Sequence, residues 1–293
     1  MTIETHDETN ELPDSRLYVF IDGSREFSLA FFEGQRLIRD LALLHPIQGR
    51  GFAYFRDVVL SVQPMITLLK TGEQFGFYID SVEPRFRLKI ETEHSGDTRS
   101  VLVPEHFSGF PEAMQGIVRL LKLFPGNRPP YESVLEAKDL PLREIVNRVL
   151  ADSFQTPSVV KLSQRSDQSL ILHRLPPLAG KDEYDYSPQA VRDRLDETEE
   201  ELERIFDLAL TRPEDVRDAF ARIGFRLLAS RAVRFRCNCT HQRMVHNVKL
   251  LGEEAVSGLF DPGQEELEIT CEYCKSVYHL TREDLGGSSS RPH

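Results

Sequence analysis

Four cysteines, none of them before residue 237, constrain this 293-residue chain more than any other feature. They read Cys237-Asn238-Cys239, then 31 intervening residues, then Cys271-Glu272-Tyr273-Cys274. Two close pairs far apart in sequence can converge on one tetrahedral centre. Zinc takes four such soft thiolates, and four-cysteine sites are typically closed and structural. A disulfide-stapled secreted protein would spread its cysteines through the chain. The pattern therefore predicts one Zn2+ per chain, held by Cys237, Cys239, Cys271 and Cys274 in a small C-terminal zinc domain at 233–285. The flanks suit this: a strand at 233–236, a helix capped by Thr240 and stopped at Gly252, and a short hairpin at 269–273 and 277–280. His241, His246 and His279 lie nearby in sequence but are not counted as ligands, because a histidine beside four cysteines more often lies at the surface or behind the ligands.

The rest of the chain must bury its apolar surface without cysteine staples. Hydrophobic residues make up 40% of the full sequence, enough for a real core, and the length suits roughly two domains. Alternation and apolar runs predict strands at 17–22, 26–32, 74–80, 86–92, 98–103, 159–162 and 170–175. Helical spacing predicts helices at 35–44, at 53–69 with a break at Pro64, and at 140–154. Residues 116–124 fit strand or helix. The fold class expected is α+β: an N-terminal α/β sandwich-like domain at 17–178, a charged helical linker at 179–232 and the zinc domain. Residues 1–16 read as a disordered tail and 286–293 as a flexible one.

The linker stands out by charge, with 14 acidic against 6 basic residues between 181 and 218. It is still amphipathic. Val191, Leu195, Leu202, Ile205 and Phe206 suit a helix within 188–210, and Val216, Phe220, Ile223 and Leu227 a second at 213–230, opened by Pro213. One reading is a pair of ordinary surface helices. The other is a marginal helical segment that stays folded only while docked, since helices this short are marginal alone in water.

Charge also limits function. A net charge of −11 argues against a chain-wide nucleic-acid role. There is no run of about 18 apolar residues for a membrane span, and no basic-then-apolar secretory signal at the start. A cytoplasmic protein is expected. No phosphate-binding loop, nucleophile elbow or His-Glu-x-x-His stands in the chain, and a closed four-thiolate site leaves no open position, so no catalytic activity is expected.

The Cys-x-Cys pair can close a disulfide only in a small ring, and Arg234, Arg236 and Arg243 around it are expected to favour thiolate. Thiolates are what oxidants attack, and a small domain that depends on its metal unfolds when its ligands are oxidised. The stretches Phe235-Arg236-Cys237-Asn238-Cys239 and Cys271-Glu272-Tyr273-Cys274-Lys275-Ser276-Val277-Tyr278 resemble the zinc motif of the heat shock protein 33 family, redox-regulated holdase chaperones. Leu68-Leu69-Lys70, the 140–154 helix and Asp167-Gln168-Ser169-Leu170-Ile171-Leu172 extend the resemblance to about 17–285. It departs at Ile79-Asp80-Ser81-Val82-Glu83-Pro84, where the family has a glycine-rich turn.

The resemblance implies an ATP-independent chaperone, inactive when reduced and zinc-bound. Oxidation would link Cys237 with Cys239 and Cys271 with Cys274, release zinc, unfold the linker and expose apolar surface to unfolding client proteins, with homodimers forming in the oxidised state. The competing reading is a constitutive zinc-ribbon adaptor without a redox switch.

Overall fold

The computed structural model describes residues 12–105, 112–177 and 185–286. Contacts divide the chain into two compact units, Met1–Phe235 and Arg236–His293. The tails expected at 1–16 and 286–293 fall largely outside the described residues. Of the first, residues 12–16 pack on the domain. Leu12 O accepts from Arg36 Nη1 at 2.8 Å, and the buried Ser15 accepts from Leu37 N and Val233 N.

The first unit opens with an antiparallel pair, β1 (Arg16–Asp22) and β2 (Phe27–Glu33). Helices α1 (Gln35–Leu44) and α2 (Gly49–Val62) follow, and α2 passes into a 3-10 turn at Gln63–Leu68. The break falls where Pro64 removes an N–H from the helical ladder. A meander then runs through β3 (Gln74–Glu83), β4 (Phe86–Glu93), β5 (Asp97–Val103), β6 (Ala113–Leu123) and β7 (Tyr131–Pro141). The turn between β3 and β4, where the family pattern has glycine, is closed by a cis Glu83–Pro84 bond and by Ser81 Oγ donating to Pro84 O. A 3-10 turn at Leu142–Glu144, α3 (Ile145–Val149) and a π turn at Leu150–Phe154 lead to the hairpin β8 (Ser158–Leu162) and β9 (Gln168–Arg174).

Three helices come next, α4 (Pro188–Glu197), α5 (Glu199–Leu208) and α6 (Pro213–Arg222). Residues 225–230, expected to continue the last helix, instead belong to strand β10 (Phe225–Ala232), which pairs with β1. Gly224 at φ +83° ends the helix, a conformation open to glycine at little cost. The two-residue β11 (Arg234–Phe235) then pairs in parallel with β5.

Two sheets result. One has the order β10-β1-β2-β9-β8, the other β11-β5-β4-β3-β6-β7. Side chains alternate across a strand, and in the first sheet both faces are buried. Leu17, Ala30, Phe32 and Ile171 point to a core shared with α1, α2, α3 and the inner face of the second sheet. Tyr18, Phe20, Phe27, Leu29, Phe31, Leu170 and Leu172 point the other way, onto α4, α5 and α6. The helices cover this aromatic face with Val191, Leu195, Leu202, Ile205, Phe206, Val216 and Phe220, all buried. Ile223 and Leu227 pack only partly against it, Leu227 from β10 rather than from a helix. Phe220 stacks 4.5 Å from Phe20 and lies 5.0 Å from Phe31.

Glu33, at 1% exposure, sits between the sheet and α1. Burial pushes its carboxyl up to about 7; a hydrogen bond from Gln35 N opposes this and the charge of Asp167 adds to it. A folded-state value above the ordinary 4.5 means that the stability this group allows is full below pH 4.5 and is lost as pH rises through 7. Glu33→Gln keeps an acceptor for Gln35 N and cannot ionise. Its stability gain over the parent, measured by denaturant unfolding, is expected to grow from near zero at pH 4.5 to about 3 kcal/mol at pH 8. A constant gain across that range would contradict the assignment. His173 has the opposite sign: burial depresses it to about 4, so its contribution is lost as pH falls toward that value.

Candidate metal centre

The second unit is small, with α7 (His241–Lys249), α8 (Glu253–Ser257) and the hairpin β12 (Glu266–Thr270) and β13 (Val277–Thr281). Thr240 caps α7, its side chain accepting from Arg243 N at 3.2 Å, and Gly252 at φ +88° separates the two helices. Its buried hydrophobic core is Val248, Val256 and Leu280, with Met244, Val245, Phe260, Ile269, Tyr278 and Leu285 packed partly against them. That is little apolar burial for a unit of this length.

Sulfur fills the gap. Cys237 and Cys239 lie on the stretch leading to α7, while Cys271 and Cys274 form the turn between β12 and β13. That turn is tight: Cys271 N donates to Ser276 O and Lys275 N to Cys271 O, both at 2.9 Å, with Lys275 at φ +59°. Cys237 Sγ lies 3.8 Å from Cys271 Sγ, and Cys239 Sγ lies 3.2 Å from Cys274 Sγ. All four sulfurs fall within 4.8 Å of one another, and all four cysteines are free thiols. Sulfurs bound tetrahedrally at 2.3 Å from one zinc stand about 3.8 Å apart, so the cluster has the size of a four-thiolate site.

The electrostatics point the same way. Burial pushes the Cys239 thiol up to about 12 and also raises Cys271. At Cys274 burial is outweighed by hydrogen bonds from the Ser276 hydroxyl and amide and from Cys239 and Cys271, bringing it down to about 7. Four thiols this close thus share protons, and one ionises at the expense of its neighbours. A dication inverts that logic, because it stabilises every thiolate at once. The donor set fits zinc, and the hairpin, the α7 approach and the sulfurs together make a closed cage.

Two residues of the site were not anticipated. Tyr278 Oη lies 3.0 Å from Cys239 Sγ, and Ser276 Oγ lies 3.2 Å from Cys274 Sγ. These hydroxyls are the hydrogen-bond donors that would orient bound thiolates. Two of the arginines expected to favour thiolate make polar contacts of their own. Arg243 Nη1 donates to Asn238 O at 3.0 Å, and Arg234 pairs with Asp97 at 3.1 Å. His241 and His279 face backbone and carboxylates: His241 Nε2 lies 3.2 Å from His279 O and 3.6 Å from Asp284, and His279 lies 3.9 Å from Glu266.

No helix among the described residues is long and apolar enough to cross a membrane. The sequence profile of the family described as Hsp33 protein matches residues 15–281. The 33 kDa chaperonin of Synechococcus elongatus is 26% identical over 238 residues, spanning 75% of this chain and 78% of that protein. The 33 kDa chaperonin of Symbiobacterium thermophilum is 32% identical over 105 residues, 34% of each chain. The crystal structure of the 33 kDa chaperonin (heat shock protein 33 homolog) of Thermotoga maritima aligns with a TM-score of 0.69 over 94% of this chain and 97% of that one, at 12% identity, a likeness of fold. With the α+β fold, the four-sulfur cluster and a profile match running through both units, this chain belongs to the Hsp33 family of chaperones.

Proposed function

We propose that this protein is a redox-regulated, ATP-independent, non-catalytic holdase of the cytoplasm that binds unfolding proteins under oxidative stress. The observation that carries the reading is the juxtaposition of four mutually close cysteine sulfurs with a unit whose own apolar core is three side chains. Zinc, when bound there, holds Cys237, Cys239, Cys271 and Cys274 as thiolates and adds its binding free energy to folding. Oxidation then joins Cys237 with Cys239 and Cys271 with Cys274. As each S–S bond forms, the two thiolates of the pair give up two electrons to a peroxide, whose O–O bond breaks and which takes two protons from solvent and leaves as two waters. Disulfide sulfurs no longer serve as thiolate ligands, so the fold of 236–286 loses its support.

The surface for clients is the second half of the proposal. The aromatic face of the five-stranded sheet and the stripe of α4–α6 that covers it are large, apolar and hidden. A hidden apolar face avoids the aggregation that a permanent one invites. Cys237 follows β11 by two residues, and the chain before it runs back through β11 and β10 to the cover. The acid-rich outer side of α4–α6 keeps the opened state soluble around a bound client.

The test is suppression of aggregation of a thermally unfolding client. The reduced protein is expected to protect poorly. Protein treated with hypochlorite, or with peroxide and mild heat, is expected to protect well, with a parallel release of about one zinc per chain; dithiothreitol reverses the gain. Equal protection by both forms would make it a constitutive holdase. Protection by neither would leave the zinc-ribbon adaptor as the better account. Sedimentation of the two forms tests whether homodimers accompany oxidation.

A further inference from the structure

The helical cover is held by more than its apolar stripe. At the end of α5 and in the two residues after it, three carbonyls find donors on the body of the domain. Ser166 Oγ donates to Phe206 O at 3.1 Å, Gln35 Nε2 to Ala209 O at 3.3 Å, and Gln168 Nε2 to Leu210 O at 2.9 Å. Ala209, at φ +45°, turns the chain so that these carbonyls face the domain.

The donors are themselves fixed. Ser166 and Gln168 sit in and just after the turn between β8 and β9, both buried. Ser166 Oγ lies 2.8 Å from Ser163 Oγ and 3.3 Å from Gln168 Oε1. Arg56 of α2 grips the same turn, through Asp167 Oδ1 at 2.5 Å and Ser166 O at 2.6 Å. Gln35 is held by its backbone N–H donating to Glu33 Oε1 at 2.9 Å. Gly34 N donates to Asp167 O at 2.8 Å, an approach so close that a Cβ at Gly34 would stand 2.9 Å from that oxygen. The start of α1 and the β8–β9 turn are thus one rigid piece. Around it Arg165 pairs with Asp207 at 2.8 Å, and Lys161 with Glu199 and Glu203 at 3.1 and 2.9 Å.

Apolar contact is non-directional, so a stripe of leucines and phenylalanines alone lets a helix shift along a greasy sheet at small cost. Three directional hydrogen bonds to carbonyls of one turn, one of them buried and two half-buried, admit a single register. Once that turn shifts, all three donors lose their partners together. We infer that Gln35, Ser166 and Gln168 form a latch that sets how readily the α4–α6 cover opens, separately from the apolar face beneath it. The inference rests on the reading of these helices as a releasable cover. It adds the residues, in the other unit from the cysteines, that set the threshold for release.

The test uses the reduced, zinc-loaded full chain. Gln35→Ala with Ser166→Ala removes two bonds, and Gln168→Met removes the third with little change of shape. Hydrogen exchange read by mass spectrometry is expected to speed in α5 by roughly fivefold for each bond lost, with exchange in β1, β2 and β9 and zinc content unchanged. No acceleration in residues 199–208 would overturn the latch. Equal acceleration in β2 and β9 would also overturn it, showing a general loss of stability. Client protection is scored separately on the same reduced variants. A gain supports both the latch and the proposed function. Faster exchange without a gain upholds the latch and counts against the holdase surface.

Discussion

Reduced protein carrying Cys271→Ser should hold far less than one zinc per chain and should lose the fold of residues 236–286, while the two sheets of the first unit persist. Cys271 is the most buried of the four, at 5% exposure, and its backbone fixes the turn that also presents Cys274. Structural zinc in small domains contributes an apparent 10–16 kcal/mol, on the order of what whole small domains have in reserve. Full burial of Val248, Val256 and Leu280 supplies about 1.5–3 kcal/mol each, less in sum than a structural zinc contributes. Elemental analysis gives the first part of the result. Hydrogen exchange over 241–281 gives the second. Exchange there as slow as in the parent, in zinc-free reduced protein, would mean that the four sulfurs are not what holds the unit together.

The second large effect is expected at Phe220. Its ring is fully buried between Phe20 and Phe31, and truncation of such a side chain typically costs about 3–5 kcal/mol. The loss falls on the contact between α6 and the sheet. Phe220→Ala should therefore raise exchange across 213–222, bind a hydrophobic dye in the reduced state and protect clients before any oxidant is added. Alanine is the better probe than aspartate, which would add a buried charge to the cavity. An unchanged midpoint and no dye binding would show that α6 is not the seal of that face.

Part of this architecture was readable in residues alone, and the parts that were not have physical reasons. The convergence of the four cysteines was legible because residue type and spacing survive without knowing the fold. The first two strands were legible because both their faces are buried, giving near-continuous apolar runs. Strand β10 was not, because Val216, Phe220, Ile223 and Leu227 keep helical spacing straight through Gly224, and the glycine was the signal to weigh. Leu140 and Pro141 read as the start of a helix but end β7, an edge strand whose half-exposed pattern Tyr131-Glu132-Ser133-Val134-Leu135 carries little contrast. Helical turns begin only at Leu142, as a 3-10 turn that passes into α3 at Ile145. Between 188 and 208 a single amphipathic pattern conceals a break at Thr198, whose hydroxyl turns back onto Arg194 O at 2.9 Å. Tyr278 and Ser276 became visible as partners of the sulfurs only when the hairpin register, Thr270 opposite Val277, placed them there.

The order β10-β1-β2-β9 has a consequence for polymer physics. The cover leaves the sheet from the end of β9 and re-enters it at the start of β10, and those ends lie three strand spacings apart, about 14 Å. Residues 175–224 are therefore a loop sewn down at both ends, not a dangling arm. Such a loop stays near its binding face at an effective concentration in roughly the millimolar range. Re-covering is a first-order event whose rate is independent of protein concentration. On the proposed function, a client bound to that face would compete continually with a tethered rival, so weakly held clients would be shed as soon as the loop regained its helices, while strongly unfolded ones, with more apolar surface to offer, would remain.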